Sequence, residues 1–201
     1  MKLKNNILIL AALVVTFACS TKKGGETASE EKEVVTYDPS AAKIKWTAFK
    51  LTDRVGVSGT FDQVAVTPGT GSTIDSLLTD GSFVITTESV NSNEATRDPK
   101  IRESFFGVFN TPEIKGSILS AKDGKGEVSL MMNDTTNTVP FTYAATDSTV
   151  VMTTTVDVTN WNGGAAIDSL NSVCELLHKG ADGVSKLWPD VVVQVTIPAK
   201  K

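Results

Sequence analysis

The stretch from Gly81 to Ile118 limits the folds open to this chain more than any other. Ser82 to Thr87 places Phe83 and Ile85 on one side of an extended strand, as a period of two requires. Asp98-Pro99 then announces a helix, with Asp98 as N-cap and Pro99 at the first helical position. That helix must be short. It ends in Phe105, Phe106 and Phe109, and Pro112 closes the loop before Ile114 to Leu119 resumes extended character. Three rings are thereby brought together between two strands.

The rest of the chain reads mostly as strands with turn punctuation. Lys43 to Leu51 alternates Ile44, Trp46 and Ala48 against Lys43, Lys45 and Thr47. Val55 to Val66 carries Val57, Gly59 and Phe61 on one face, then Val64 and Val66 after a change of register. Asp123-Gly124-Lys125-Gly126 is a hairpin turn joining Ile118–Ala121 to Glu127–Met132. Thr138 to Ala145, the Thr- and Val-rich Thr149 to Val158, and Val191 to Ile197 follow as further strands. About seven short strands interrupted by one small helix predict an antiparallel barrel or sandwich.

A second helix is expected from Ala165 to Lys179, where Ile167, Leu170, Cys174 and Leu177 follow a helical repeat widened by Val173 and Leu176. Gly180 suits its C-cap, and His178-Lys179 suit the negative end of its dipole, which makes His178 a surface residue. The segment from 165 to 189 then serves either as a lid on the barrel mouth or as packing outside the barrel. Cys174, among Leu170, Val173, Leu176 and Leu177, reads as a small buried hydrophobe.

The order Arg97-Asp98, Arg102, Ser104, Phe105-Phe106 and Asn110-Thr111-Pro112-Glu113-Ile114 resembles the signature of the YceI-like family. The resemblance extends to Tyr37-Asp38-Pro39, to the strand Lys43–Lys50, to Val57–Phe61 and to Leu130–Phe141, and covers roughly residues 36 to 198. It implies a mainly β chain, a single antiparallel lipocalin-like β-barrel with one short helix and one longer helical insertion near the C-terminus. It also implies binding of a polyisoprenoid, a quinone tail or a similar long apolar lipid inside the barrel. An eight-stranded barrel is just wide enough for one slender ligand, and apolar burial alone would hold it. The rings offered for such a lining are Trp46, Phe49, Phe61, Phe83, Phe105, Phe106, Phe109 and Phe141; for each, plain core packing is the alternative. Arg97, Asp98 and Arg102 stand either at the mouth, against a ligand headgroup, or in structural roles, with Asp98 capping the helix and an arginine bonded to loop carbonyls or a carboxylate such as Glu94.

The N-terminus carries its own signals. Lys2 and Lys4 precede an uncharged, largely apolar run from Ile7 to Ala18, the pattern of a secretory signal over residues 1–18 and too short to span a bilayer as a mature helix. Thr16-Phe17-Ala18-Cys19 looks like a lipobox, departing from it at Thr16 in place of Leu and at Phe17 where a small residue is usual. Cys19 is the expected acylation site, anchoring the protein in a bacterial cell envelope, facing periplasm or cell surface; ordinary signal cleavage with Cys19 incidental is the alternative. Residues 19–35 lack aromatics and are rich in Lys, Glu, Gly, Ser and Thr, so they read as a flexible tether to a barrel domain over 36–201. Glu26, Glu30, Glu31 and Glu33 argue against a polybasic anchor, so the expected membrane contact is the N-terminal lipid and not the protein surface.

Other functions are disfavoured. The formal net charge is −4 without a basic stripe, against nucleic-acid binding. His178 is the only histidine, which removes a histidine-rich metal site and leaves any triad to that one residue. Gly69-Thr70-Gly71-Ser72 lacks the lysine and spacing of a phosphate loop, and Asp75, Asp80, Glu94 and Glu103 lack metal-ligand spacing. No enzymatic activity, cofactor or metal is expected. The competing reading is a structural or interaction lipoprotein with a filled barrel, acting through the Ala165–Pro189 surface; association of two barrels into a homodimer stays open.

Overall fold

A computed structural model describes residues 36–200. The signal segment, Cys19 and the tether lie outside the described residues. The described residues belong to one compact unit. Ten strands are present where the sequence pattern indicated about seven: β1 (Lys43–Lys50), β2 (Val55–Phe61), β3 (Val64–Thr67), β4 (Ser82–Thr86), β5 (Val90–Asn91), β6 (Glu113–Lys122), β7 (Lys125–Met132), β8 (Thr135–Ala145), β9 (Thr149–Asp157) and β10 (Leu187–Pro198). Every pairing is antiparallel, in the order β3-β4-β6-β7-β8-β9-β10-β1-β2-β5.

That order forces the sheet to curl. β2 and β3 lie near opposite ends of it, yet only Asp62 and Gln63 join them. Two residues reach about 7 Å, so the two edges of the sheet must meet. They do so through the Asp62 N–H donating to the Ser89 carbonyl (3.0 Å), and the Thr86 N–H to the Gln63 carbonyl (3.1 Å). A barrel-like wall results, which covers the backbone edges an open sheet would expose.

Local chemistry sets the hairpins. Asp123 (φ 51°) and Gly124 (φ 81°) form a two-residue turn between β6 and β7, tighter than the four-residue span expected. Asn133 (φ 45°) and Asp134 (φ 53°) turn β7 into β8 in the same way, because short side chains that bond locally tolerate the left-handed region.

Four helices complete the fold: α1 (Ile74–Leu78), α2 (Asp98–Lys100), α3 (Gly164–Val173) and α4 (Glu175–His178). α1 was not anticipated; a reciprocal Thr73–Ser76 capping box starts it. α2 runs directly into a π-helical turn over Ile101–Gly107. Here the Asp98 expectation is corrected. Arg97 occupies the cap position, and the Asp98 carboxylate instead accepts from the Ser92 N–H (2.8 Å) and hydroxyl (2.6 Å), tying the helix to the end of β5.

The single helix expected over 165–179 is also corrected. It breaks at Cys174 (φ −115°, ψ 17°), and the break rotates the following turn. His178 therefore points inward and is buried, while Leu176 and Leu177 point outward. Cys174 is buried, as its apolar neighbourhood indicated.

Candidate functional site

Inward-facing residues of the curled sheet, together with α1, the π-helical turn and α3, surround a cavity of about 250 Å3. Its wall is aliphatic and aromatic. The polar side chains on it are Thr67, Ser82, Thr153 and Thr154, and no charged residue lines it. A lining of this kind can desolvate a hydrocarbon. Among the described residues no group of three or more His, Cys, Asp or Glu could hold a metal ion.

The cavity stays open because three of its rings lie against the wall. Trp46, Phe83 and Phe141 stand directly across from Gly59, Gly116 and Gly126 on the neighbouring strands. Each ring covers its glycine so closely that a Cβ there would overlap ring atoms. The absent side chain is what lets the ring lie flat rather than project inward, a packing known to support glycines in sheets. The Trp46 indole is fixed further by its Nε1–H donating to the Thr60 carbonyl at 3.1 Å.

A second aromatic group closes one end. Phe105 and Phe106 meet edge to face at 5.1 Å, while Phe105 and Phe109 at 5.5 Å and Phe61 and Phe106 at 6.0 Å are tilted pairs. The π-helical turn delivers Phe105 and Phe106, Phe109 follows just beyond it and Phe61 stands on β2; α3 packs on the turn. Trp161, 1 % exposed, anchors the chain just before α3 by donating its Nε1–H to the Leu130 carbonyl at 3.0 Å.

Seven of the eight rings singled out from the sequence line the cavity: Trp46, Phe61, Phe83, Phe105, Phe106, Phe109 and Phe141. Phe49 does not. It sits on the opposite face of β1, at an irregularity in the β1–β10 pairing, under the Arg54 guanidinium (4.6 Å). Trp188 takes the other contact with Arg54 (4.4 Å), and Arg54 also forms an ion pair with Asp190. None of Arg97, Asp98 and Arg102 lines the cavity. Arg102 Nε pairs with Glu88 at 3.2 Å, not Glu94, and Arg97 accepts the Ile101 N–H on its backbone carbonyl.

Sequence reasoning missed the aliphatic share of the wall. Ile44, Ile118, Val128, Leu130, Val193 and Ile197 all line it, and strand alternation alone would have found them. It also missed Leu77 and Leu78 of α1. That helix is tied to β8 by the Tyr143 hydroxyl donating to the Asp75 carboxylate. Burial, reinforced by that carboxylate, pushes the Tyr143 phenol up.

His178 contradicts its expected surface position. It is 8 % exposed, with Nδ1 3.0 Å from Asn171 Oδ1. Burial, with the cations of Lys50 and Lys100 nearby, pushes its imidazole down to about 4. It stands outside the cavity wall.

The model of the YceI-like domain matches residues 35–199, nearly the whole described chain. The chain belongs to the YceI-like family. Among solved structures, this YceI-like chain is similar to a polyisoprenoid-binding domain from Saccharophagus degradans implicated in plant cell wall breakdown, at 13 % identity and TM-score 0.56, covering 83 % of this chain and 98 % of that one. It is also similar to BcnA of Burkholderia cenocepacia, at 14 % identity and TM-score 0.54, covering 82 % and 99 %. At such identities the likeness establishes the fold. Both neighbours are covered almost end to end. No curated protein matches this one.

Proposed function

We propose that this protein binds a polyisoprenoid, a quinone tail or a similar long apolar lipid inside its barrel, as a carrier or store and not as an enzyme. The observation that carries the reading is an apolar cavity free of charged lining in a YceI-like fold. Each Å2 of apolar ligand surface removed from water contributes about 25 cal/mol, so a hydrocarbon tail needs no charged partner to bind. The polyisoprenoid binding stated for the Saccharophagus degradans domain supports the ligand class. The alternative of a filled barrel acting only through its surface is weakened by a void of about 250 Å3.

The lipobox-like Thr16–Cys19 supports a second part of the reading: acylation of Cys19, with the domain held at a bacterial envelope membrane by residues 19–35. Metabolic labelling with an alkyne fatty acid should mark the full chain and leave Cys19→Ala unmarked; label retained by Cys19→Ala sinks the anchor.

Native mass spectrometry with organic extraction tests the ligand, on residues 36–201 expressed in a bacterial periplasm. A stoichiometric adduct that extracts as a polyprenyl or quinone species is expected. A protein that is empty, and stays empty after incubation with polyprenyl lipids, overturns the carrier reading.

A further inference from the structure

The break at Cys174 leaves an apolar cluster uncovered. Leu176 is 85 % exposed, Leu177 59 % and Val173 50 %. Val173 ends α3 and Leu176 and Leu177 lie on α4, so the three exposed side chains fall within five residues where α3 meets α4. The chain after α4 folds back through the Lys186 N–H to the His178 carbonyl (3.0 Å) and adds Val184, also exposed. Single exposed leucines are ordinary, whereas a grouped set calls for a partner.

Cations surround the patch. The Lys50 ammonium reaches the Leu177 carbonyl at 2.9 Å, Lys179 follows α4, and Lys186 lies over the Trp188 ring at 4.8 Å. Lys100 is near enough to act on His178 beneath. Glu175 and Lys179 offset each other at 3.0 Å, and Asp182 keeps its charge while accepting the Thr52 hydroxyl at 2.6 Å, whereas Lys50 and Lys186 have no carboxylate partner among the described residues. A chain of net charge −4 thus presents lysines around its most exposed apolar residues. The patch also continues the cavity wall, because Ile167 and Leu170 of α3 and Leu187-Trp188 line the interior from the same two segments.

We propose that the α3–α4 patch docks on the surface of a bilayer containing anionic lipid. Leu176, Leu177 and Val173 enter the headgroup layer, and Lys50 and Lys186 meet lipid phosphates, as in interfacial amphipathic helices. The purpose of such docking rests on the proposed function: it sets α3 between the bilayer and the cavity, on the path an apolar ligand would take. The docking is additional to any acyl anchor at Cys19.

The test is co-sedimentation of residues 36–201, which lack Cys19, with vesicles of phosphatidylglycerol and phosphatidylcholine or of phosphatidylcholine alone. Expected are binding to the anionic vesicles, a loss of at least tenfold in Leu176→Asp/Leu177→Asp, and weakening in 0.5 M salt. Circular dichroism confirms that the exposed double variant stays folded. Equal vesicle binding by wild type and double variant, or no binding at all, overturns the proposal. So does a concentration-dependent dimer, broken by the double variant, with no vesicle binding, which assigns the patch to a second copy. Mass spectra of the same samples separate the two claims. Protein that docks yet stays empty after incubation with polyprenyl lipids refutes the carrier reading alone, and loaded protein that ignores vesicles refutes the docking alone.

Discussion

Gly116→Ala tests whether the void depends on a ring held flat over a glycine. Gly116 on β6 faces Phe83 on β4. An alanine Cβ would overlap Cζ and Cε1 of that ring and stand 2.8 Å from Cε2. Carbon atoms pack comfortably at about 3.5–4.0 Å, so the ring must retreat by on the order of 1 Å. The obstruction is the far end of one side chain and not backbone, and the open direction is the cavity, so the barrel should still fold. Leaving the rotamer well costs about 0.5–1.5 kcal/mol, and the ring also loses contacts with the wall, for a total of about 1–3 kcal/mol. Urea unfolding should show a lower midpoint at unchanged slope. Phe83→Leu removes the colliding atoms, so Gly116→Ala/Phe83→Leu should be less destabilised than the sum of the single variants by at least about 0.5 kcal/mol. The tipped ring also occupies lumen, and the extractable apolar adduct should fall. A stability change in Gly116→Ala below about 0.5 kcal/mol, or strict additivity in the double variant, would refute the argument.

Two further outcomes follow from the same structure. The His178 imidazole has a folded pKa of about 4 against about 6.5 unfolded, so between these values the unfolded chain binds a proton that the folded chain refuses. Stability should be intact above pH 6.5 and decline on acidification toward pH 4, by on the order of 2–3 kcal/mol from this residue. His178→Gln should flatten that decline in urea midpoints taken from pH 7 to pH 4.5, and an unchanged slope would show that His178 is not its source. Asp98→Ala strands the buried Ser92 N–H and hydroxyl, which should cost about 1–3 kcal/mol by chemical denaturation; a loss under about 0.5 kcal/mol would leave Asp98 no structural role.

Much of the strand layout was legible in the chain, because alternation and turn residues act over a few positions. Asp123-Gly124 announced its hairpin, and the block from Phe83 to Ile114 announced strand, helix and ring cluster in order. Phe49 was legible too: it shares parity with Lys43, Lys45 and Thr47, and period two already put it outside. His178 was not. The helical repeat runs unbroken through Cys174, where no glycine or proline marks the break, and only packing of the segment against the barrel rotates the last turn.

The sequence by itself determined that the chain would be antiparallel β, that most of its singled-out rings would gather at one lining, and that a YceI-like domain would follow residue 35. Tertiary structure alone decided that the sheet curls until β2 meets β3 through two residues. It alone placed Trp46, Phe83 and Phe141 over glycines 13 to 33 positions away, leaving a cavity rather than a filled core. The physical reason is range. Alternation is a property of neighbouring residues, whereas a void depends on cross-strand register, and register is settled only when distant strands pair.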